Sequence, residues 1–437
     1  MGALADKLRA LEGIVGEAHL VTATEGVGEY RVEGQQPVGV VSPGTPEEVA
    51  AVLRAAAEGG FSVLLRGAGR HLHLGAPPEA VGLVVSLARL GQIVEYDAEN
   101  LTITAQAGVT LEALQRAAGE RGQVLPLDPP GGDGATLGGV VAANLAGTLR
   151  TRYGSPRDLA IGLRVALSDG SLVKTGGKTV KNVAGYELTK LFVGSFGTLG
   201  AICEATVRLA PAPEARAVLA AALPPERARG MAGELLASRL EVTAVDVANK
   251  AGVKRARASL PLTIGPETRV VFVGLMGDRT AIDRQERDFR KMVGGGCARL
   301  EGEEAAAVWR GLREGPYPTG PEAVVARAAV PPASALDVLE MVTGWEGWWA
   351  LARPGDGFVY AGPPVGCEQA ETEGRLANLR TMARESGGRV MLEAGPVELK
   401  RSFAVWDEVG NLDLMRALKE AYDPARSLGC GRYLPGL

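Results

Sequence analysis

The segment Arg66-Gly-Ala-Gly-Arg-His-Leu-His-Leu-Gly75 follows a short apolar run and carries only small residues at 67, 68 and 69. Small residues in succession let consecutive backbone N–H groups turn toward one point, and such a nest holds an anionic group such as a phosphate. Arg66 or Arg70 could neutralise its charge. The loop lacks the G-x-G-x-x-G spacing, opening a helix, that a nicotinamide site requires. Taken alone, its glycines serve a tight turn equally well. Three more glycine loops follow. Ala135-Thr-Leu-Gly-Gly139 leads into a mostly small or apolar run lasting to Arg150 and Arg152, which a flat ligand could approach closely. Lys178-Thr-Val-Lys-Asn-Val-Ala-Gly-Tyr-Glu187 gathers an amide, a glycine and a phenol, and Gly194-Ser-Phe-Gly-Thr-Leu-Gly200 precedes a β-like run. Together these loops point to a built site rather than to packing.

The elements that must position the loops are legible around them. Val38–Val41, Ser62–Leu65, Leu83–Leu87 and Leu101–Ala105 read as strands, and Pro46–Glu58, capped by Thr45 and ended by Gly59-Gly60, reads as a helix. Leu163–Leu167 and Ala201–Leu209 add strands before a break at Pro211-Ala-Pro213. Beyond it, strands at Arg269–Met276, Ala323–Val330, Trp348–Arg353 and Phe358–Ala361 alternate with helices at Thr280–Val293, Ala333–Thr343 and Cys367–Glu385. That rhythm predicts an antiparallel sheet with helices on one face. Trp345, Trp348 and Trp349 read as core or interface of this second part rather than as a flavin sandwich. The expected organisation is an N-terminal helical segment (1–36), a first domain (37–212), a second α+β domain (213–397) and a tail returning to the first (398–437).

Composition narrows the class. The chain has 437 residues, 46% hydrophobic and 22% charged, with 47 Lys+Arg against 51 Asp+Glu for a net charge of −4. Disorder and fibre are excluded, and 5% aromatics with no basic field argue against a nucleic-acid partner. Cys203, Cys297, Cys367 and Cys430 show no C-x-x-C spacing, so neither a disulfide framework nor a metal cluster is readable, and a reducing, cytoplasmic setting is expected. Leu4, Leu8, Leu11 and Val15 repeat at helical spacing among charges, as an amphipathic helix rather than a signal peptide. The longest uncharged stretch, Gly134 to Leu149, is Gly-rich and falls short of the roughly 20 residues of a transmembrane segment, so none is expected.

The motifs, in their order, resemble the vanillyl-alcohol-oxidase/p-cresol-methylhydroxylase type of FAD-binding proteins. The resemblance rests on Val41-Ser-Pro-Gly-Thr-Pro-Glu-Glu-Val49, the loop Arg66–Gly75, Leu87-Ala-Arg-Leu90, Ala107-Gly-Val109, Pro126-Leu-Asp-Pro129, Ala135–Gly139, Tyr153-Gly154 and Gly194–Gly200. Lys181-Asn-Val-Ala-Gly-Tyr186 narrows it to chains resembling the FAD-binding subunit of bacterial glycolate oxidase. The resemblance implies an α+β chain: a two-part FAD-binding domain, then a cap-like domain with an antiparallel sheet. It further implies that Arg66, Gly67, Ala68, Gly69, Arg70 and His71 hold the FAD pyrophosphate. Asp128, Thr136, Gly138, Gly139 and Asn144 would line the groove, with Asn182 and Gly185 as motif-level candidates and Ile202 meeting the nucleotide end through its backbone. Covalently flavinylated members use a histidine directly after the loop glycines. His71 stands one position late, so non-covalent FAD is expected.

Oxidising a 2-hydroxy acid needs a base for the hydroxyl proton and a cation for the carboxylate. Related dehydrogenase subunits supply histidines for this from the second domain, often with a metal. Here the histidines are His19, His71 and His73, all in the first domain or before it, so that site and its metal are not expected. Arg150 and Arg152 are weak candidates for the carboxylate, and Tyr186 or Lys181 for the base. The resemblance implies the electron-transferring, FAD-binding subunit of a glycolate or D-lactate dehydrogenase or oxidase, working with a catalytic flavoprotein and an iron–sulfur subunit. Any membrane association would come through those partners. A stand-alone dehydrogenase of a small hydroxy acid and a non-catalytic flavin-bearing scaffold remain the alternatives.

Overall fold

Thr45 starts the helix Pro46–Glu58: its hydroxyl accepts from the Glu48 amide at 3.1 Å, and Glu47 and Glu48 sit at the positive end of the helix dipole. Val49, Val52, Leu53 and Ala56, spaced three or four apart, are all buried. The helix is the crossover between the parallel strands Gly39–Val41 and Val63–Arg66, with Leu83–Ser86 paired between them. Every residue of Gly39–Val41 and Leu83–Ser86 is buried, as parallel strands covered on both faces must be. Leu20–Val21 adds an antiparallel edge. The loop Arg66–Gly75 therefore leaves the C-terminal end of a parallel strand, where open α/β sheets place ligand crevices. The computed structural model describes residues 2–22, 24–132, 134–177 and 187–434.

A second sheet, ordered Ile93–Asp97, Thr102–Gln106, Ala201–Arg208, Ala160–Ala166, Leu172–Gly176, is antiparallel throughout. One face shares a core with the first sheet, Ala166, Ala201 and Cys203 meeting Val41 and Val85. The other face receives the helix Leu137–Ala143 through Val140 and Val141. Gly138 permits that approach: its amide donates to the Ala107 carbonyl at 2.9 Å, and a Cβ there would lie 2.5 Å from the Ala107 methyl.

The third sheet runs Cys297–Glu301, Ala215–Leu223, Arg269–Gly277, Ala244–Ala248, Trp349–Arg353, Phe358–Gly362, Val325–Ala329, Arg389–Ala394, each neighbour antiparallel. Ala217, Leu219 and Ala221 face one core with the helices Pro225–Ala237, Arg279–Val293, Ala335–Thr343 and Gln369–Glu385. Val218 and Ala220 face a second core with Gly302–Glu314 and Lys250–Arg255. Helices thus cover both faces, correcting the one-sided arrangement read from the sequence. The reason lies in Ala215–Leu223 itself, which is apolar from Ala217 onward and offers no polar face to solvent. Trp345, Trp348 and Trp349 are buried here, as expected.

The C-terminal helix Leu412–Tyr422 and the segment after it return to the first sheet. The Val63 amide donates to the Ser427 carbonyl at 2.6 Å, and the Gly429 amide to Val63 at 2.9 Å. At the other end, the helix Gly2–Val15 buries Leu11 and Val15 but leaves Leu4 43% exposed, so its apolar stripe is used only over the later turns. Among the described residues no helix is long and apolar enough to cross a membrane.

Candidate functional site

Residues 66–71 form one wall of a groove, and Thr136, Gly139 and Ala142 from the helix Leu137–Ala143 and its cap form the facing wall. Its enclosed core is about 100 Å³ within about 700 Å³ open to solvent, a slot rather than a chamber. The sequence dictates this narrowness. A Cβ at Gly67 would stand 2.1 Å from Thr136 Oγ1, so only glycine lets the loop lie against that helix. Gly69 has φ +75°, a left-handed conformation that favours glycine. Arg66 stacks its guanidinium 4.2 Å from the Tyr30 ring centre, and its buried Nε has no partner. An orphaned buried cation donor beside a small-residue turn is the complement of an anionic group.

Arg70 departs from its expected role. Its Nε donates to the Gly131 carbonyl at 3.1 Å and its guanidinium lies 5.5 Å from the Tyr317 ring centre. Tyr317 donates back to the Arg70 carbonyl at 2.6 Å, and Glu314 accepts from the Gly131 amide at 3.0 Å. The third sheet's connecting segment thereby clasps the loop. His71 Nε2 lies 2.7 Å from the Pro130 carbonyl, and burial lowers its pKa. Burial, with the charges of His71, Lys400 and Arg432, brings His73 down to about 3.

The C-terminal tail closes the same loop. Buried Arg432 donates to the carbonyls of Ala76 at 3.0 Å and Leu72 at 2.7 Å and to Leu74. Burial lowers its pKa to about 10. Gly75, at φ +88°, has no room for a Cβ, which would stand 2.5 Å from the Arg432 carbonyl. Lys400 adds bonds to the His73 carbonyl and to Glu33, both at 2.5 Å.

Several expected groove residues lie elsewhere. Asp128 is buried, but its carboxylate is taken by the Thr148 amide and hydroxyl and the Leu149 amide at 2.6–3.1 Å, so it anchors that turn. Gly138 faces the Ala107 strand end rather than the slot. Asn144 ends its helix in a left-handed conformation and accepts from the Arg157 amide at 3.0 Å. Ile202 is buried in the second sheet opposite Val165. Lys181, Asn182, Gly185 and Tyr186 lie outside the described residues.

Arg150 and Arg152 turn toward the third sheet instead. Arg150 stands 3.9 Å from Asp356 and 4.6 Å from the Phe358 ring centre, while Arg152 donates to the Met276 carbonyl at 3.1 Å. Behind them lies a buried charged layer that the sequence did not reveal. Arg353 pairs with Asp246 at 3.1 Å, and Arg327 with Glu393 at 2.5 Å. Burial raises Asp246 to about 6 against the pull of Arg353. Arg353 Nη1 and Asp356 Oδ2 are buried without partners. Tyr360 lies 5.0 Å from the Arg353 guanidinium, and burial raises its phenol pKa. Partners from distant strands left no local signal. Among the described residues no cluster of His, Cys, Asp and Glu could hold a metal ion.

Comparison with known proteins gives these features a context. The family described as FAD binding domain matches residues 37–176. The chain is 30% identical over 431 residues to glycolate oxidase subunit GlcD of Bacillus subtilis (strain 168), spanning 91% of this chain and 88% of that protein. It is 31% identical to a D-lactate dehydrogenase of Archaeoglobus fulgidus over 90% of each. A shorter match, 40% over 154 residues, covers 35% of this chain and 43% of glycolate oxidase subunit GlcE of Escherichia coli (strain K12). Among solved structures, p-cresol methylhydroxylase with substrate bound superposes with a TM-score of 0.75 at 16% identity, covering 99% of this chain and 97% of that one, which shows the shared fold. A glycine-lined slot beside an unpartnered arginine, a matching cofactor domain and relatives along nearly the whole chain converge on one conclusion: this chain belongs to the FAD-dependent oxidoreductase family that includes GlcD and D-lactate dehydrogenase.

Proposed function

We propose that this chain is the FAD-carrying, electron-transferring subunit of a glycolate or D-lactate dehydrogenase assembly, acting with a catalytic flavoprotein and an iron–sulfur partner. Bound FAD would supply the two-electron acceptor. Backbone N–H groups of residues 66–71 would hold its pyrophosphate with Arg66 as the counter-charge, and Thr136 and Gly139 would bound the slot, as their place on its walls supports. Asn182 and Gly185 remain candidates from their motif alone. Non-covalent binding is supported by His71, whose Nε2 is engaged by Pro130.

One observation carries the relay reading over independent catalysis. The cations where the two halves meet are already matched, Arg150 near Asp356, Arg353 with Asp246 and Arg327 with Glu393, and no histidine stands among them. A substrate carboxylate would have to displace an internal partner, and a phenol raised by burial is a poor base at neutral pH. The stand-alone reading draws on the unpartnered Arg353 Nη1, which could meet a carboxylate. The test is dye reduction by the purified chain with glycolate or D-lactate. We expect none from the chain alone and activity once the catalytic flavoprotein is added. Turnover by the chain alone, abolished by Arg353→Lys, would replace the relay reading with the stand-alone one.

A further inference from the structure

At the end of the strand Ala215–Leu223, away from the glycine slot, Ala215 and Arg216, Arg279 at the start of the helix Arg279–Val293, and the helix Gly302–Glu314 line a groove of about 560 Å³. Arg216 points the same way as Val218 and Ala220, which face the helix Gly302–Glu314. Arg279 enters from the first turn of its helix and Arg310 from the facing one. All three are exposed, and none has an ion-pair or hydrogen-bond partner among the described residues.

Other exposed arginines, Arg284 and Arg287 among them, likewise lack partners among the described residues, but they do not line this groove. Nearby Arg299 is bound by Asp283, Glu286 and Glu301, Arg227 by Glu234, and Arg269 by Glu340. Glu301 is the one carboxylate lining the groove, and its charge is taken by Arg299. Arg313 lines the groove as well, already paired with Glu314 at 2.9 Å, and unpaired guanidiniums of like charge lining one groove favour an anion among them. The groove also presents a fixed ring. Trp309 lies over Gly274, where a Cβ would stand 2.5 Å from the indole, so the glycine seats the ring against the sheet. Ala215, Ala305 and Ala306 leave its surroundings uncrowded.

We propose that this groove binds a compact polyanion, a small molecule with two or more phosphate or carboxylate groups, its charges on Arg216, Arg279 and Arg310 and its apolar or aromatic part against Trp309. Charge-assisted bonds from guanidinium forks suit both anion types, and an indole adds stacking when the ligand carries a ring.

The test is calorimetric titration of the FAD-loaded full chain with pyrophosphate, citrate or ADP at about 0.15 M salt, where exposed charges are already screened beyond roughly 8 Å. Loading with FAD keeps ADP out of the glycine slot. We expect one-to-one binding of at least one probe, weakened tenfold or more by Arg216→Ala with Arg310→Ala, with the FAD content unchanged. Pyrophosphate and ADP binding without citrate would assign a phosphate ligand, and citrate alone a carboxylate one. ADP binding tighter than pyrophosphate would support stacking on Trp309. Should the double variant fold poorly, Arg279→Ala alone carries the same expectation. No probe binding below about 1 mM, or equal binding by wild type and variants, would overturn the proposal.

Discussion

The glycine slot is decided by single atoms. A methyl at Gly67 collides with Thr136 Oγ1, so Gly67→Ala should push the loop off its helix and weaken FAD binding at least tenfold, measured by flavin fluorescence on reconstitution. Gly139→Trp, which fills the slot from the opposite wall, should abolish binding, and a variant purifying with stoichiometric FAD would contradict the placement. The loop's histidines give a pH signature. His73 is held near 3 by burial, whereas an unfolded histidine titrates near 6.5. Between those values the unfolded chain binds the extra proton, so this contribution is complete above about pH 6.5 and lost as pH falls toward 3. The melting temperature should therefore drop from pH 7.5 to 5, and His73→Phe should flatten the drop. Parallel curves for wild type and variant would show that the proton goes elsewhere.

At the scale of elements, what could be read in advance divides by sequence distance. The helix Pro46–Glu58 carries its own cap, proline and apolar period, and the structure has it at those bounds. Removing the cap with Thr45→Ala should cost about 1 kcal/mol in urea unfolding. The strand Ala215–Leu223 escaped notice because five of its nine residues are alanine, poor in β signal and apolar without alternation. The slot's glycines stand in local runs and could be read, whereas Asp128, a lone carboxylate in a family motif, proved to satisfy backbone amides twenty residues on. Arg432 lies about 360 residues from the carbonyls it binds, and Asp246 lies 107 from Arg353, distances at which no spacing rule applies. Arg353→Leu strands a buried carboxylate and should cost about 3–5 kcal/mol, while Arg353→Leu with Asp246→Leu should cost far less. Equal losses would show that packing rather than charge holds the layer.

At the scale of the whole molecule, three separate parts of the chain converge on one loop. The first sheet launches residues 66–75, Tyr317 clasps them from the third sheet's side, and Arg432 ties them to the C-terminal tail. Flavin retention should thus depend on the tail: Arg432→Met is expected to speed FAD release more than tenfold while Arg432→Lys partly restores it. The same assembly presents matched charges rather than an open base and cation where the halves meet. Whether the flavin only relays electrons is read from the anaerobic visible spectrum of the purified, FAD-loaded chain before and after addition of glycolate or D-lactate. If the chain is a relay, its flavin bands stay oxidised until the catalytic partner is added. Bleaching by substrate alone would contradict the relay reading.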